Sequence, residues 1–266
     1  MSTISKTIHI SDTVHGSIPI SYLEKIIIST RIFNRLHNVS QNSTAYLTYP
    51  TNRTRRFEHS IGTMHICSQM FMYGINNADT ETLELFFMDL EDEIGSILRN
   101  KLSEDGNHIY RAKLDDANFK ESVLFNYKEN IQIDDYLYRL SIPKHILDNK
   151  LEVPYIILFQ SIRLAAMLHD IGHPPMSHIT ENAIQDIFKK IESKEDKNLN
   201  ELEFIECIKY YYKDNKKFAL HEKIGISLSK RLLEHSIIPY HKYNNPEKLY
   251  KILFELIIMD VTISIL

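Results

Sequence analysis

The segment Arg163 to His178, RLAAMLHDIGHPPMSH, constrains the chain most, because an apolar run ends there in three histidines and an aspartate. Leu164, Ala165, Ala166, Met167 and Leu168 are good helix formers. With Ile156, Ile157 and Ile162 upstream they predict a helix that is apolar nearly all round and therefore buried. Gly172 is placed to close this helix as a left-handed C-cap, and Pro174 and Pro175 cannot continue it. His169 and His173 are four apart and share a face if the last turn persists, while Asp170 is turned about 100° away. A buried helix ending in His-Asp needs partners for those polar groups.

The His-Asp dipeptide alone arises about once by chance in a chain of this composition, so its surroundings must carry the argument. The chain has 266 residues, 43% of them apolar and 25% charged, a soluble globular balance with room for a sizeable core. Seven glycines and no Gly-rich phosphate loop argue against a doubly wound nucleotide-binding fold and for an all-α one. The two cysteines, Cys67 and Cys207, form neither a disulfide framework nor a zinc knuckle. The amino terminus lacks a basic region followed by an apolar core, and no apolar run approaches the ~20 residues of a membrane span. A cytoplasmic protein without membrane partners is expected. The formal charge of −4 gives no global attraction to nucleic acid, although Arg53, Arg55 and Arg56 form a local phosphate-sized cluster.

Residues 8–20 alternate polar with apolar around His15-Gly16 and predict a short hairpin or extended arm, with His15 as a turn residue. Apolar spacing from Tyr22 to Leu36 predicts two short helices broken near Ser29-Thr30. Residues 38–54 read as a loop or short strand pair, and a helix follows from about Phe57 to Tyr73. His59, Gly62, Thr63, Ile66 and Met70 form one stripe of that helix, expected to face the core. Residues 76–154 read as a helical insertion with a polar turn at Ser103 to Asn107 and charged runs that are solvated faces. Ser177 is placed to N-cap a helix to about Ile191, with His178 and Glu181 on its first turn. Helices follow at Leu202 to Tyr212, from His221-Glu222 to Leu233, and from Lys248 to about Ile263.

His59, His169 and Asp170 are the residue types that hold a borderline divalent metal, and two helices of a bundle can aim them inward. A metal there lowers the pKa of water and polarises a phosphoryl oxygen, while His173, His178 and His221 handle protons and Arg56 pairs with phosphate. Those are the ingredients of phosphate-ester hydrolysis.

The ordered set Val14-His15-Gly16, Phe33-Asn34-Arg35-Leu36, Arg56-Phe57-Glu58-His59, His169-Asp170-Ile171-Gly172-His173, Pro175-Met176-Ser177-His178 and His221-Glu222 resembles the HD-domain superfamily of metal phosphohydrolases. More narrowly it is similar to the deoxynucleoside triphosphate triphosphohydrolases, over about residues 1–75 and 155–235. The resemblance implies one HD domain over 1–266, with 76–154 inserted and a C-terminal helix in 236–266. It implies a divalent metal (Mn, Mg, Fe, Zn or Co) on His59, His169 and Asp170, and a phosphate path lined by His173, His178 and His221. Glu181 and Glu222 would orient those histidines, Arg56 would contact phosphate, and Gln41 would read sugar or base. The implied reaction is attack of a metal-activated water on the α-phosphorus of a dNTP, releasing deoxynucleoside and triphosphate in a homo-oligomer.

The family's later Asp-x-Asp-[Arg/Lys]-x-Asp-Tyr segment has no counterpart here, which leaves Asp260 as the candidate fourth ligand or a plain helix-end residue. Ser29 stands where nucleotide-regulated members carry an acid. Alternative readings are an HD phosphohydrolase for a nucleoside monophosphate or signalling nucleotide, and a catalytically incomplete nucleotide-binding or assembly protein. The abrupt apolar end, ISIL, also fits the amino-terminal part of a longer enzyme.

Overall fold

The computed structural model describes residues 8–103, 137, 141–144, 146, 151–212, 220–237 and 257–266. Among the described residues the fold is mostly helical with one two-stranded sheet, in line with the all-α expectation and its N-terminal hairpin. Strands β1 (Ile8–Asp12) and β2 (Gly16–Ile20) pair antiparallel, with Ile8 opposite Ile20 and Asp12 opposite Gly16. Asp12 builds the turn: its Oδ2 accepts from Val14 N at 2.9 Å and His15 N at 2.7 Å, and Gly16 supplies the left-handed φ of 75°.

Helix α1 (Tyr22–Ile28) opens on a reciprocal cap in which Ser21 and Glu24 each accept the other's backbone N–H. Thr30 caps the short α2 (Arg31–Asn34), so the expected break at Ser29-Thr30 is present. Helices α3 (Arg56–Asn77) and α4 (Thr80–Ser103) follow, then α5 (Glu152–Leu168), α6 (His178–Glu192), α7 (Leu199–Tyr212) and α8 (Leu220–Ile237). Residues 257–265 are helical as well. Of the inserted stretch, α4 is a single long helix packed on α5; most of the expected turn at Ser103 to Asn107 lies outside the described residues. So do residues 248–256 of the expected last helix.

Helix α5 is the axis, and its burial all round has a plain cause. One side joins a core of Ile18, Ile27, Phe33, Ile61, Met64 and Leu233, while Tyr155, Ile156 and Phe159 enter a second cluster with Ile75, Leu83 and Phe87. Its long partner is α3, and here the expected inward stripe is corrected. Ile66 is 40% and Met70 68% exposed, whereas Ser60, Ile61, Met64, Ser68 and Ile75 face α5. Both faces of α3 are apolar enough to be buried, and α5 with the hairpin selects one; the other remains open beside the site.

Candidate metal and histidine site

The site forms where α3 begins, α5 ends and α8 passes over the loop that follows α5. Helix α5 stops at Leu168, with His169 as its right-handed C-cap. His169 and His173 therefore do not share a helical face, as the continued last turn would have given. Gly172 is not left-handed either: among the described residues the positive-φ glycine is Gly16. Its role is close approach, since a Cβ there would run into the His221 carbonyl oxygen and the Gly225 nitrogen. Gly172→Ala is expected to push α8 off the loop at about 1–3 kcal/mol, seen as a lower urea midpoint at unchanged m-value. An unchanged midpoint would mean that the approach is slack.

Two groups of ligand-type side chains lie side by side, His59 with His169 and Asp170, and His173 with His178 and His221, the atoms of each group mutually within 4.8 Å. Asp170 joins them. Its Oδ2 lies 3.4 Å from His59 Nε2 and 3.3 Å from His169 Nε2, and its Oδ1 lies 3.3 Å from His173 Nε2. His169 Nδ1 sits 2.7 Å from the Ala166 carbonyl, which makes that nitrogen a donor and turns Nε2 to the carboxylate, as a donor when the ring is protonated and as a lone pair when a cation takes the proton's place. Nitrogen lone pairs and a carboxylate turned toward one point are the donor set of a divalent cation, so these groups can hold one.

Arg56, expected at phosphate, places its buried guanidinium on protein partners. Nη1 donates to Asp170 Oδ2, while Nε and Nη2 donate to Ser177 Oγ at 3.1 and 2.9 Å. Ser177 thus stands at the start of α6 without capping it through its side chain; its hydroxyl serves Arg56 and donates to the Ser40 carbonyl at 3.2 Å. Met176 and Ser177 hold left-handed backbones, φ 59° and 50°, and Ser43, φ 49°, donates its hydroxyl to Met176 O at 2.6 Å. Strain of this kind persists only where neighbours over-determine it, as these bonds do. Arg35 adds two clamps on the same loop, donating to the carbonyls of Ile171 and of His173.

Electrostatics follow from this packing. Burial raises the Asp170 carboxyl, but hydrogen bonds from His169 and His173 and the charge of Arg56 outweigh it and hold the group far below the carboxylate range. Burial lowers His59 and His173, while His169 is raised because Asp170 overcomes its burial. In the second group Glu181 is the organiser. It accepts from His221 N at 2.9 Å and lies 3.0 Å from His221 Nδ1 and 3.2 Å from His178 Nδ1. Burial raises its pKa, and these three contacts bring it below the usual value. His173 stacks on His221 at 3.7 Å between centroids, and His178 stands edge-on to both. His173 Nδ1 is buried without a hydrogen-bond partner.

The remaining sequence candidates stand apart from this arrangement. Glu222 is exposed on the first turn of α8, outside the described hydrogen bonds of the site, so orientation of the histidines falls to Glu181. Gln41 is half-buried beside Arg56, with its Oε1 buried and unpartnered. Asp260 is half-buried in the C-terminal helical segment and joins neither ligand group. Arg35 and Asp12 received no role from the sequence, although Arg35 lies inside a quoted motif, and Ser177 was expected only as a helix cap.

Comparison with known proteins adds little to this geometry. No family model matches the chain. A stretch of 61 residues, 23% of this chain, is 43% identical to "Uncharacterized protein MJ1154" of Methanocaldococcus jannaschii. The matched stretch spans 14% of that protein's length. Among the described residues, no helix is long and apolar enough to cross a membrane.

Proposed function

We propose that the protein is a metal-dependent nucleotide phosphohydrolase that cleaves a dNTP to deoxynucleoside and triphosphate. The observation that carries this reading is the position of Asp170, which turns one carboxylate oxygen to His59 and His169 and the other to His173. His59, His169 and Asp170 would hold the cation, which supplies Lewis acidity toward a water and a phosphoryl oxygen. Glu181 fixes the rings of His178 and His221 through Nδ1 and leaves Nε2 of each for phosphate oxygens. His178 is the more exposed of the two and hands a proton to the leaving oxygen. Arg56 keeps Asp170 ionised and oriented. Homo-oligomeric assembly and a cytoplasmic location accompany this reading; a lone monomer in light scattering at micromolar concentration would remove the first.

The test is incubation with the four dNTPs and Mn²⁺ or Mg²⁺, with products separated by ion exchange and His169→Ala/Asp170→Ala as control. Intact triphosphate and deoxynucleoside, lost in the control, are expected. Orthophosphate in their place would assign a different phosphohydrolase. Bound metal and nucleotide without turnover would favour a nucleotide-binding or assembly protein, a reading supported by Asp260 standing outside the ligand group.

A further inference from the structure

The open face of α3 and the hairpin tip enclose a cleft of about 540 Å³, within the ~300–1,000 Å³ usual for small-molecule sites. His59 lies at its edge, so the cleft adjoins the candidate metal group. Its walls combine apolar surface from Val14, Gly62, Ile66 and Cys67 with polar groups among which acceptors predominate.

Four of these side chains offer an acceptor, beside the hydroxyls of Thr13 and Thr54. All three bonds to the Asp12 carboxylate fall on Oδ2, from Val14 N, His15 N and His15 Nδ1, so Oδ1 of this nine-tenths-buried side chain is left over. With Nδ1–H donating to Asp12, Nε2 of His15 is turned to the cleft side of that bond and accepts whenever it carries no proton. Thr63 spends its hydroxyl proton on His59 O at 2.8 Å and keeps its lone pairs. Glu58 uses Oε2 for Arg55 N at 2.6 Å and has Oε1 to spare. Among the described residues no lysine or arginine lines the cleft to pair with phosphate. Gly62 is required by the same construction, because a Cβ would sit 2.8 Å from His15 Cε1.

We propose that this cleft binds the base of the nucleotide and prefers an amino-bearing heterocycle, guanine, adenine or cytosine, over thymine. The exocyclic amine, joined in guanine by the neighbouring ring N1–H, meets the acceptors while the ring plane lies on the apolar wall. Thymine, with one N–H between two carbonyl oxygens, turns acceptors toward acceptors. The phosphates then run away from the cleft, past His59 toward the histidine cluster. Gln41 is not part of the cleft lining, so the hairpin and α3 would contact the base in this cleft and Gln41 would not. This inference deepens the hydrolase reading and rests on it for the word nucleotide; nucleoside binding can be measured apart from it.

The experiment is calorimetric titration of the intact chain with deoxyguanosine, deoxyadenosine, deoxycytidine and thymidine, none carrying phosphate. Thymidine is expected to bind at least about tenfold more weakly than the tightest of the others. Ile66→Trp, at a half-exposed position that tolerates bulk, fills the cleft and should weaken all four about tenfold or more. The same variant should raise KM for dNTP while leaving kcat within about twofold. Glu58→Gln should shrink the preference against thymidine. Equal binding of thymidine, indifference to Ile66→Trp, or displacement by spermidine rather than by nucleosides would overturn the proposal. Hydrolysis with KM unchanged by Ile66→Trp would sink the base site and leave the hydrolase standing. Cleft-dependent nucleoside binding without turnover would do the reverse.

Discussion

Asp170→Asn is expected to strip the protein of stoichiometric metal and, separately, to destabilise it by about 3–5 kcal/mol. The two effects come from the two sides of one residue. Toward His59 and His169 the carboxylate is the anionic member of the ligand group, and its removal should cost at least about 100-fold in metal affinity, beyond the loss of an outer-shell partner. Toward Arg56 it is the counter-ion of a guanidinium that is 3% exposed, and the amide leaves that charge buried with the Ser177 hydroxyl, the Gln41 carbonyl oxygen and the more remote charge of Glu181. The double variant Arg56→Gln/Asp170→Asn should therefore recover most of the stability and none of the metal. Urea unfolding and metal analysis after dialysis read the two separately. Stoichiometric metal in the single variant would place the site elsewhere, and a double variant no more stable than the single would deny the buried pair its role.

The pH dependence of that pair has a fixed sign. Asp170 is depressed in the folded state, so its contribution is present above the unfolded value of about 3.9 and is lost as pH falls through the depressed one. Glu181 acts in the same direction through His221 and His178. Both keep the site assembled across the neutral range.

The legible parts of this fold were those set by local sequence. The Ser21-Glu24 cap, the break at Ser29-Thr30 and the apolar girth of α5 each follow from a few neighbouring residues. Illegible were choices made by partners distant in sequence. Which face of α3 turns inward depends on α5, about a hundred residues away, and Gly172 is explained by the backbone of α8 rather than by a cap. The grouping of His59 with His169 and Asp170 was readable as a set of residue types. The division of six polar side chains into two groups hinged on Asp170 was not, because it depends on α5 ending one residue before the histidine. Ser177 shows the same limit, since a residue suited to capping was taken by Arg56, 121 positions away.

The distance between α3 and α5, and so between His59 and His169, is held by a polar knot at their middle, where the second large effect is expected. Arg163 is 1% exposed and Glu24 fully buried. Arg163 Nε and Nη2 donate to Glu24 Oε1 and Oε2 at 2.6 and 2.9 Å, Nη2 to Pro19 O at 2.8 Å and Nη1 to Ser68 Oγ at 2.9 Å. Gln160 Nε2 and Ser21 N complete the Glu24 carboxylate. One guanidinium thus ties β2, α1, α3 and α5 together. Arg163→Met fills similar space but leaves an uncompensated carboxylate in the core, a cost of about 3–5 kcal/mol against a typical ~5–15 kcal/mol total. Replacing both partners, Arg163→Met/Glu24→Gln, should restore most of that loss, since a well-packed core without the pair does not have to hold a charge. Metal affinity is the further readout. If the knot sets the spacing of α3 and α5, the double variant, though folded, should hold metal more weakly than the wild type. Wild-type affinity in a stable double variant would confine the knot to stability and leave the site's spacing to the apolar contacts of Ile61, Met64 and Leu164.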